Sequence, residues 1–168
     1  YGIIEVNGIA ATIQPEFFVR SEEFWMRSEE LTTVAEVTGQ YQMGSAIFID
    51  KVDNMTRKRE VGSILAERFR ALTFRTYGLA DYVVGKYEAA EMNFKEALEI
   101  QAWDNPDVIY VMLGNAALRQ HDWAKAKGYC QQALEVNPVY SRAYVTLGSV
   151  FFEQSLRDIQ SETYDTVD

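Results

Sequence analysis

Three glycines, Gly78, Gly114 and Gly148, each follow a large aromatic residue by four positions: Phe74, Tyr110 and Tyr144. Gly78 and Gly114 are 36 residues apart, and Gly114 and Gly148 are 34 apart. A spacing of four places each aromatic and its glycine on one face of a helix, one turn apart. A fixed period of this length means an array of small supersecondary units, each unable to bury its apolar face alone. Such a chain must stack.

Three windows carry the repeat. The upstream one reads Phe74, Tyr77, Gly78, then Ala90, Phe94, Ala97, Leu98 and Glu99. The middle one reads Tyr110, Leu113, Gly114, Ala117, then Ala126, Cys130, Ala133, Leu134, Glu135 and Pro138. The third reads Tyr144, Leu147, Gly148 and Phe151 before the pattern stops. The extra length of the first interval falls in the loop around Trp103 to Pro106. Small residues are wanted where antiparallel helices approach closely, and the aromatics fill the space between neighbours. Each glycine costs a helix about 1 kcal/mol relative to alanine, which close packing has to offset. Gly78, Gly114 and Gly148 are therefore expected at helix contacts.

This pattern resembles the tetratricopeptide repeat family, whose unit is a helix-turn-helix with an aromatic, a Leu-Gly pair and an Ala-x3-Phe step. The resemblance is clearest over residues 71–154. It implies an all-α superhelix of antiparallel helical hairpins in which the first helix of each repeat lines a concave groove. Transferred residue by residue, that register puts Leu72, Arg75, Leu79 and Tyr82 of the first repeat in the groove. The second repeat contributes Val108, Val111, Asn115 and Leu118, and the third Arg142, Val145, Ser149 and Phe152. The set is mainly apolar and suits an amphipathic helix or an extended apolar segment. Members that grip a chaperone's C-terminal carboxylate do so with Lys, Asn, Asn, Lys and Arg. The matching positions here are Arg75, Leu79, Met112, Arg142 and Thr146, so both asparagines and the final arginine are missing. Arg75 and Arg142 remain as anchors for an acidic side chain.

The 168 residues suit one domain with a sizeable core, and three prolines leave room for long helices. No apolar run reaches the length needed to cross a bilayer. A net charge of -9 argues against nucleic acid as a partner, because phosphate neutralisation needs surplus Lys and Arg. Residues 1–55 hold nine acids and three bases, 56–100 seven and eight, and 101–168 nine and five. The basic run Arg57, Lys58 and Arg59, continued by Arg68, Arg70 and Arg75, reads as a solvated helix face, with an acidic partner as the alternative. The chain does not begin with Met and reads as a processed product or a piece of something longer. Its compartment is left open, a reducing one being favoured by the single cysteine. Asn54-Met55-Thr56 is a glycosylation sequon that matters only in a secreted chain.

Three segments are expected: an N-terminal arm and helical segment at 1–59, the repeat domain at 60–157, and an acidic tail at 158–168. In the arm, Asn7-Gly8 between Ile3, Ile4, Val6 and Ile9 to Ile13 signals a short β-hairpin or extended arm. Pro15, followed by Glu16, Glu22 and Glu23, signals a helix running to about Gly39 and carrying Phe17, Phe18, Phe24, Trp25 and Leu31. Gly39-x-Tyr41 with Phe48 mimics Gly85-x-Tyr87 with Phe94, which would make about 20–54 a degenerate extra repeat; an unrelated helical pair is the alternative. Helices are then expected at 60–84, 87–100, 107–120, 122–136 and 141–157. Asn105-Pro106 and Asn137-Pro138 punctuate them, since the residue before proline is pushed out of the helical region.

Chemistry has little material. His121 is the sole histidine and falls in the turn where the first repeat has Gly85. Cys130 is the sole cysteine, in the register of Phe94, which favours packing over reactivity. There is no zinc-spaced His/Cys cluster, phosphate-binding glycine loop or nucleophile elbow. Glu22-Glu23 and Glu29-Glu30 read as solubilising pairs. No enzyme activity, metal or cofactor is expected. The function expected is a scaffold, adaptor or assembly factor that binds a protein or peptide. The alternatives are a permanent subunit of a larger complex, wedged in by Trp25, Trp103 and the arm, or a regulatory domain of a longer enzyme. Apolar residues on helix 141–157, such as Val150, Phe151 and Phe152, also point to self-association through it.

Overall fold

The computed structural model describes residues 2–7, 10–19, 39–42, 47–49, 55–100 and 106–165. Their order is four strands, β1 (Gly2–Asn7), β2 (Ala10–Val19), β3 (Gly39–Gln42) and β4 (Ile47–Ile49), then five helices. The helices are α1 (Met55–Val83), α2 (Tyr87–Glu99), α3 (Pro106–Arg119), α4 (Trp123–Val136) and α5 (Ser141–Asp165). The chain is mostly helical and tetratricopeptide-like, with a small β-sheet as its arm. Two compact units share it: residues 1–76 with 96–104, and residues 77–95 with 105–168.

In the first unit, β1 and β2 form the expected hairpin. Asn7 pairs with Ala10 and Ile4 with Ile13, so only two residues connect the strands. The other edge of β2 takes β4 along Ala11–Ile13 and β3 along Glu16–Val19, both antiparallel. This overturns a helix starting at Pro15, which lies inside β2. On the β3/β4 side, the register with β4 ends at Ile13 and that with β3 begins at Glu16, so Pro15 falls between the two ladders and its missing N–H breaks no ladder bond there. Phe17, Phe18 and Val19 are β-formers, and β3 pairs with them.

The degenerate repeat is corrected in the same way. Tyr41 and Phe48, read as one helix of an extra hairpin, stand in β3 and β4. The rest of that segment, with Trp25 and the Glu22-Glu23 and Glu29-Glu30 pairs, lies outside the described residues. So do Trp103 and the Asn54 position of the sequon. Ile47 and Val61 form a small buried cluster with Ile13 and Leu65 against it, so α1 covers the sheet here.

The second unit is the helical stack. The turn between α1 and α2 closes with Gly85 N–H donating to Tyr82 O (3.0 Å) and Lys86 N–H to Asp81 O (2.8 Å), with Gly85 at φ +80°. The turn between α3 and α4 repeats it: His121 N–H donates to Leu118 O and Asp122 N–H to Ala117 O, both at 2.9 Å, with His121 at φ +57°. Two hairpins thus end their first helix with one and the same left-handed cap. Asp122 then caps α4, accepting from Lys125 N–H at 3.1 Å, and this bond holds its carboxyl below the ordinary value. Helix α5 runs past the expected boundary at residue 157 to Asp165, because no glycine or proline follows Gly148 to stop it.

Candidate interaction surface

Packing within the second unit follows the repeat at two of its three glycines. A Cβ on Gly78 would lie 2.5 Å from Cδ1 and Cε1 of the Phe94 ring, which is fully buried. A Cβ on Gly114 would lie 3.0 Å from Cys130 Sγ and 3.4 Å from Ala126 O. Phe94 and Cys130 thus fill equivalent positions one repeat apart, and burial pushes the Cys130 thiol up to about 12. Ala90, Ala97, Leu113, Ala126 and Ala133 are buried as the repeat requires, while Phe74, Tyr110 and Leu147 are partly so.

The third glycine differs. Nothing lies within 4 Å of a Cβ on Gly148, and the residue is exposed. Tyr144 is also open at 55 % exposure, its hydroxyl donating to Pro138 O at 3.0 Å, and Pro138 is exposed. The reason is continuity: α5 makes no turn after Gly148, so among the described residues no returning helix crosses it. Val150, expected on the open side, is instead fully buried with Ala117, Leu118 and Ala126. A step of 100° per residue puts Ala143, Thr146 and Val150 inward and Val145, Phe151 and Phe152 outward.

The groove positions divide in a similar way. In the first unit, Arg75 is buried and Leu72 half-buried. In the second, Leu79, Tyr82, Val108, Val111, Asn115 and Leu118 are all buried. Val108, Val111 and Leu118 sit on α3, whose residues from Asp107 to Leu118 are all buried except the half-buried Tyr110. Asn115 Oδ1 accepts from Thr146 Oγ1 at 2.9 Å, tying α3 to α5. Burial raises the Tyr82 hydroxyl pKa, the charge on Tyr87 adds to this, and Arg142 opposes it. Only in the third repeat does the set open. Val145 and Phe152 are 66 % and 65 % exposed, with Arg142 and Ser149 half-buried beside them.

Leu156 and Ile159 extend this apolar surface beyond Phe152. Ile159 belongs to α5 and not to a tail from residue 158; its spacing of seven from Phe152 is the sequence signal for it. The far half of α5 is held down by contacts at the start of α4. The Arg157 guanidinium lies 4.9 Å from the Trp123 ring centre, and His121 Nδ1 is 3.6 Å from Glu153 Oε2. These side chains, with Leu156 and Gln160, line a shallow cleft of about 530 Å³.

A polar network braces the hairpins. The buried Glu91 carboxylate accepts from Lys95 Nζ (2.7 Å), Tyr129 hydroxyl (3.2 Å) and Gln120 Nε2 (3.3 Å), joining α2 to α4 and to the α3 turn. Asn93 Nδ2 donates to Asp81 at 2.9 Å, and Asn137 Nδ2 to the buried Asp107 at 2.9 Å. The basic run of α1 does not form one open patch. Arg68 and Arg75 are buried, Arg70 pairs with Glu67 at 3.3 Å, and the side chains of Arg57 and Lys58 lie outside the described set. No group of three His, Cys, Asp or Glu among the described residues could hold a metal ion, and no described helix is long and apolar enough to cross a membrane.

Against known proteins, residues 108–138 match the family model of the tetratricopeptide repeat. That segment covers α3, the His121 turn and α4, the hairpin with the fullest pattern. No curated protein and no solved structure matches the chain significantly.

Proposed function

We propose that the chain is a non-catalytic protein-interaction scaffold that holds an amphipathic helix or an extended apolar segment of a partner. The tetratricopeptide repeat over residues 108–138 supports the class, since stacked helical hairpins of this kind serve as binding surfaces. The observation that carries the location is the contrast in exposure. Groove positions on α3 are closed, whereas Val145 and Phe152 on α5 stand open beside Arg142 and Ser149. A partner can bury only what is accessible, so its anchors fall on α5.

The test is capture of a partner identified by affinity purification and mass spectrometry. Val145→Glu with Phe152→Glu should abolish capture and leave the circular dichroism of the helices unchanged, because both side chains face solvent. Val139→Glu, in the exposed turn before α5, should leave capture intact. Capture at full strength by the double variant would remove α5 from the binding surface. Val111 is unsuited to this test, since a charge at a site 2 % exposed would unfold the stack.

A further inference from the structure

Resting on the reading that α5 carries the binding surface, we propose that its occupant is α5 of a second copy of this chain, packed antiparallel about a two-fold axis at Phe152. The open stripe consists of Val145, Gly148, Phe152, Leu156 and Ile159, separated by three, four, four and three residues. Spacings of three and four keep a stripe on one helix face. This series reads the same in both directions from Phe152, so reversing the helix lays the stripe on itself. Val145 then meets Ile159 of the second copy, Gly148 meets Leu156 of the second copy, and the two Phe152 rings meet each other.

Shape follows from that register. Space lies open above Gly148, with nothing within 4 Å of a Cβ placed there, and the residue delivered to it is a leucine. A small residue opposite a large one lets two helices close. Phe152 is one residue from the middle of a helix that spans Ser141–Asp165, so the two helices overlap over nearly their full length. Ala143, Thr146 and Val150 occupy the opposite face and are buried in the stack, which keeps the two bodies on opposite sides of the helix pair.

Area and charge agree. With Tyr144 and Phe151 flanking it, the stripe exposes on the order of 700 Å² of side chain per copy, close to the roughly 800 Å² per partner of a standard interface. No ionisable residue stands on the stripe. Of the charges beside it, Glu153 lies by His121, Arg157 over Trp123, and Lys127 5.5 Å from the Phe151 ring centre, while Arg142 comes opposite position 162 of the second copy, a glutamate. No like charges therefore oppose each other across the axis.

The experiment is sedimentation equilibrium of the full chain from nanomolar to high-micromolar concentration. The mass should rise from 19.2 kDa to twice that value. Phe152→Asp should hold the chain at the monomer mass with unchanged helical circular dichroism. Phe152→Cys should form a disulfide-linked dimer on mild oxidation, whereas Arg119→Cys, exposed at the end of α3, should not. A mixture of Val145→Cys and Ile159→Cys chains should cross-link to each other well above the level of either alone. A wild-type monomer at every concentration, a dimer that survives Phe152→Asp, or Val145→Cys linking to itself as well as to Ile159→Cys would each overturn the proposal. If wild type is monomeric yet the Val145→Glu, Phe152→Glu chain loses its partner, the dimer fails and the scaffold reading stands. If the dimer forms in the stated register while that variant still captures a partner, the scaffold's use of this face fails and the dimer stands.

Discussion

One atom separates the three repeat glycines. A methyl group at Gly78 collides with a ring that is fully buried, at Gly114 it presses on a thiol, and at Gly148 it meets open space. Replacing glycine by alanine in a helix gains about 1 kcal/mol of propensity, while overpacking a filled core costs about 1–3 kcal/mol. The first gain is the same at all three sites, so the collision decides the order. Gly78→Ala should destabilise by about 1–2 kcal/mol, Gly114→Ala should be near neutral, and Gly148→Ala, measured at a concentration where the chain is monomeric, should stabilise by up to about 1 kcal/mol. Urea denaturation of the three variants checks the series; a Gly148→Ala chain as unstable as Gly78→Ala would mean that α5 is covered in solution. The same scale explains His121. Its left-handed backbone does the work of Gly85 one repeat earlier, which is a structural duty for the chain's only histidine.

Between elements, Glu91 is the pivot, holding α2 against α4 and the α3 turn through three donors. Burial alone would raise its pKa, but hydrogen bonds from Lys95 and Gln120 and the charges of Lys95 and Lys125 outweigh that and leave it below 4.5. A carboxylate depressed in the folded state stabilises fully above its unfolded value and loses that stabilisation as pH falls through its folded value. Glu91→Gln should cost about 1–3 kcal/mol at neutral pH, since the donors lose a charged acceptor. The loss should shrink on acidification below 4.5. Urea midpoints of both chains across that range measure it; parallel curves would mean that Glu91 titrates alike folded and unfolded. This bracing was not legible in the sequence, because its partners lie 29 and 38 residues away. The hairpin turns were legible, since Gly85, Asp122 and the Asn-Pro pairs act on their own neighbours. Pro15 misled for the same reason in reverse: its local helix signal lost to strands β3 and β4, more than 20 residues further along.

Across the whole stack, stability is a sum of nearest-neighbour terms, so an element flanked on both sides outlasts one at an end. Helix α3 is buried from Asp107 to Leu118 save for the half-buried Tyr110, and packs against both α4 and α5. Helix α5 buries Ala143, Thr146 and Val150 in its first half, but residues 155–160 are all exposed. The register of the groove was readable from the repeat, but its accessibility was not, because burial depends on which helices lie beside each position. A stack closed at α3 and open at α5 should exchange its amide hydrogens unevenly. The α3 amides should exchange only through global unfolding, while those beyond Gln154 should exchange through fraying, at least a hundredfold faster at about 3 kcal/mol lower opening free energy. Native-state hydrogen exchange followed by mass spectrometry resolves the two helices. Equal protection in α3 and distal α5 at nanomolar concentration would contradict an open stack. Protection of distal α5 that rises with protein concentration, faster than that of α3, is the signature of an end that closes only when something packs on it, since binding stabilises locally by mass action.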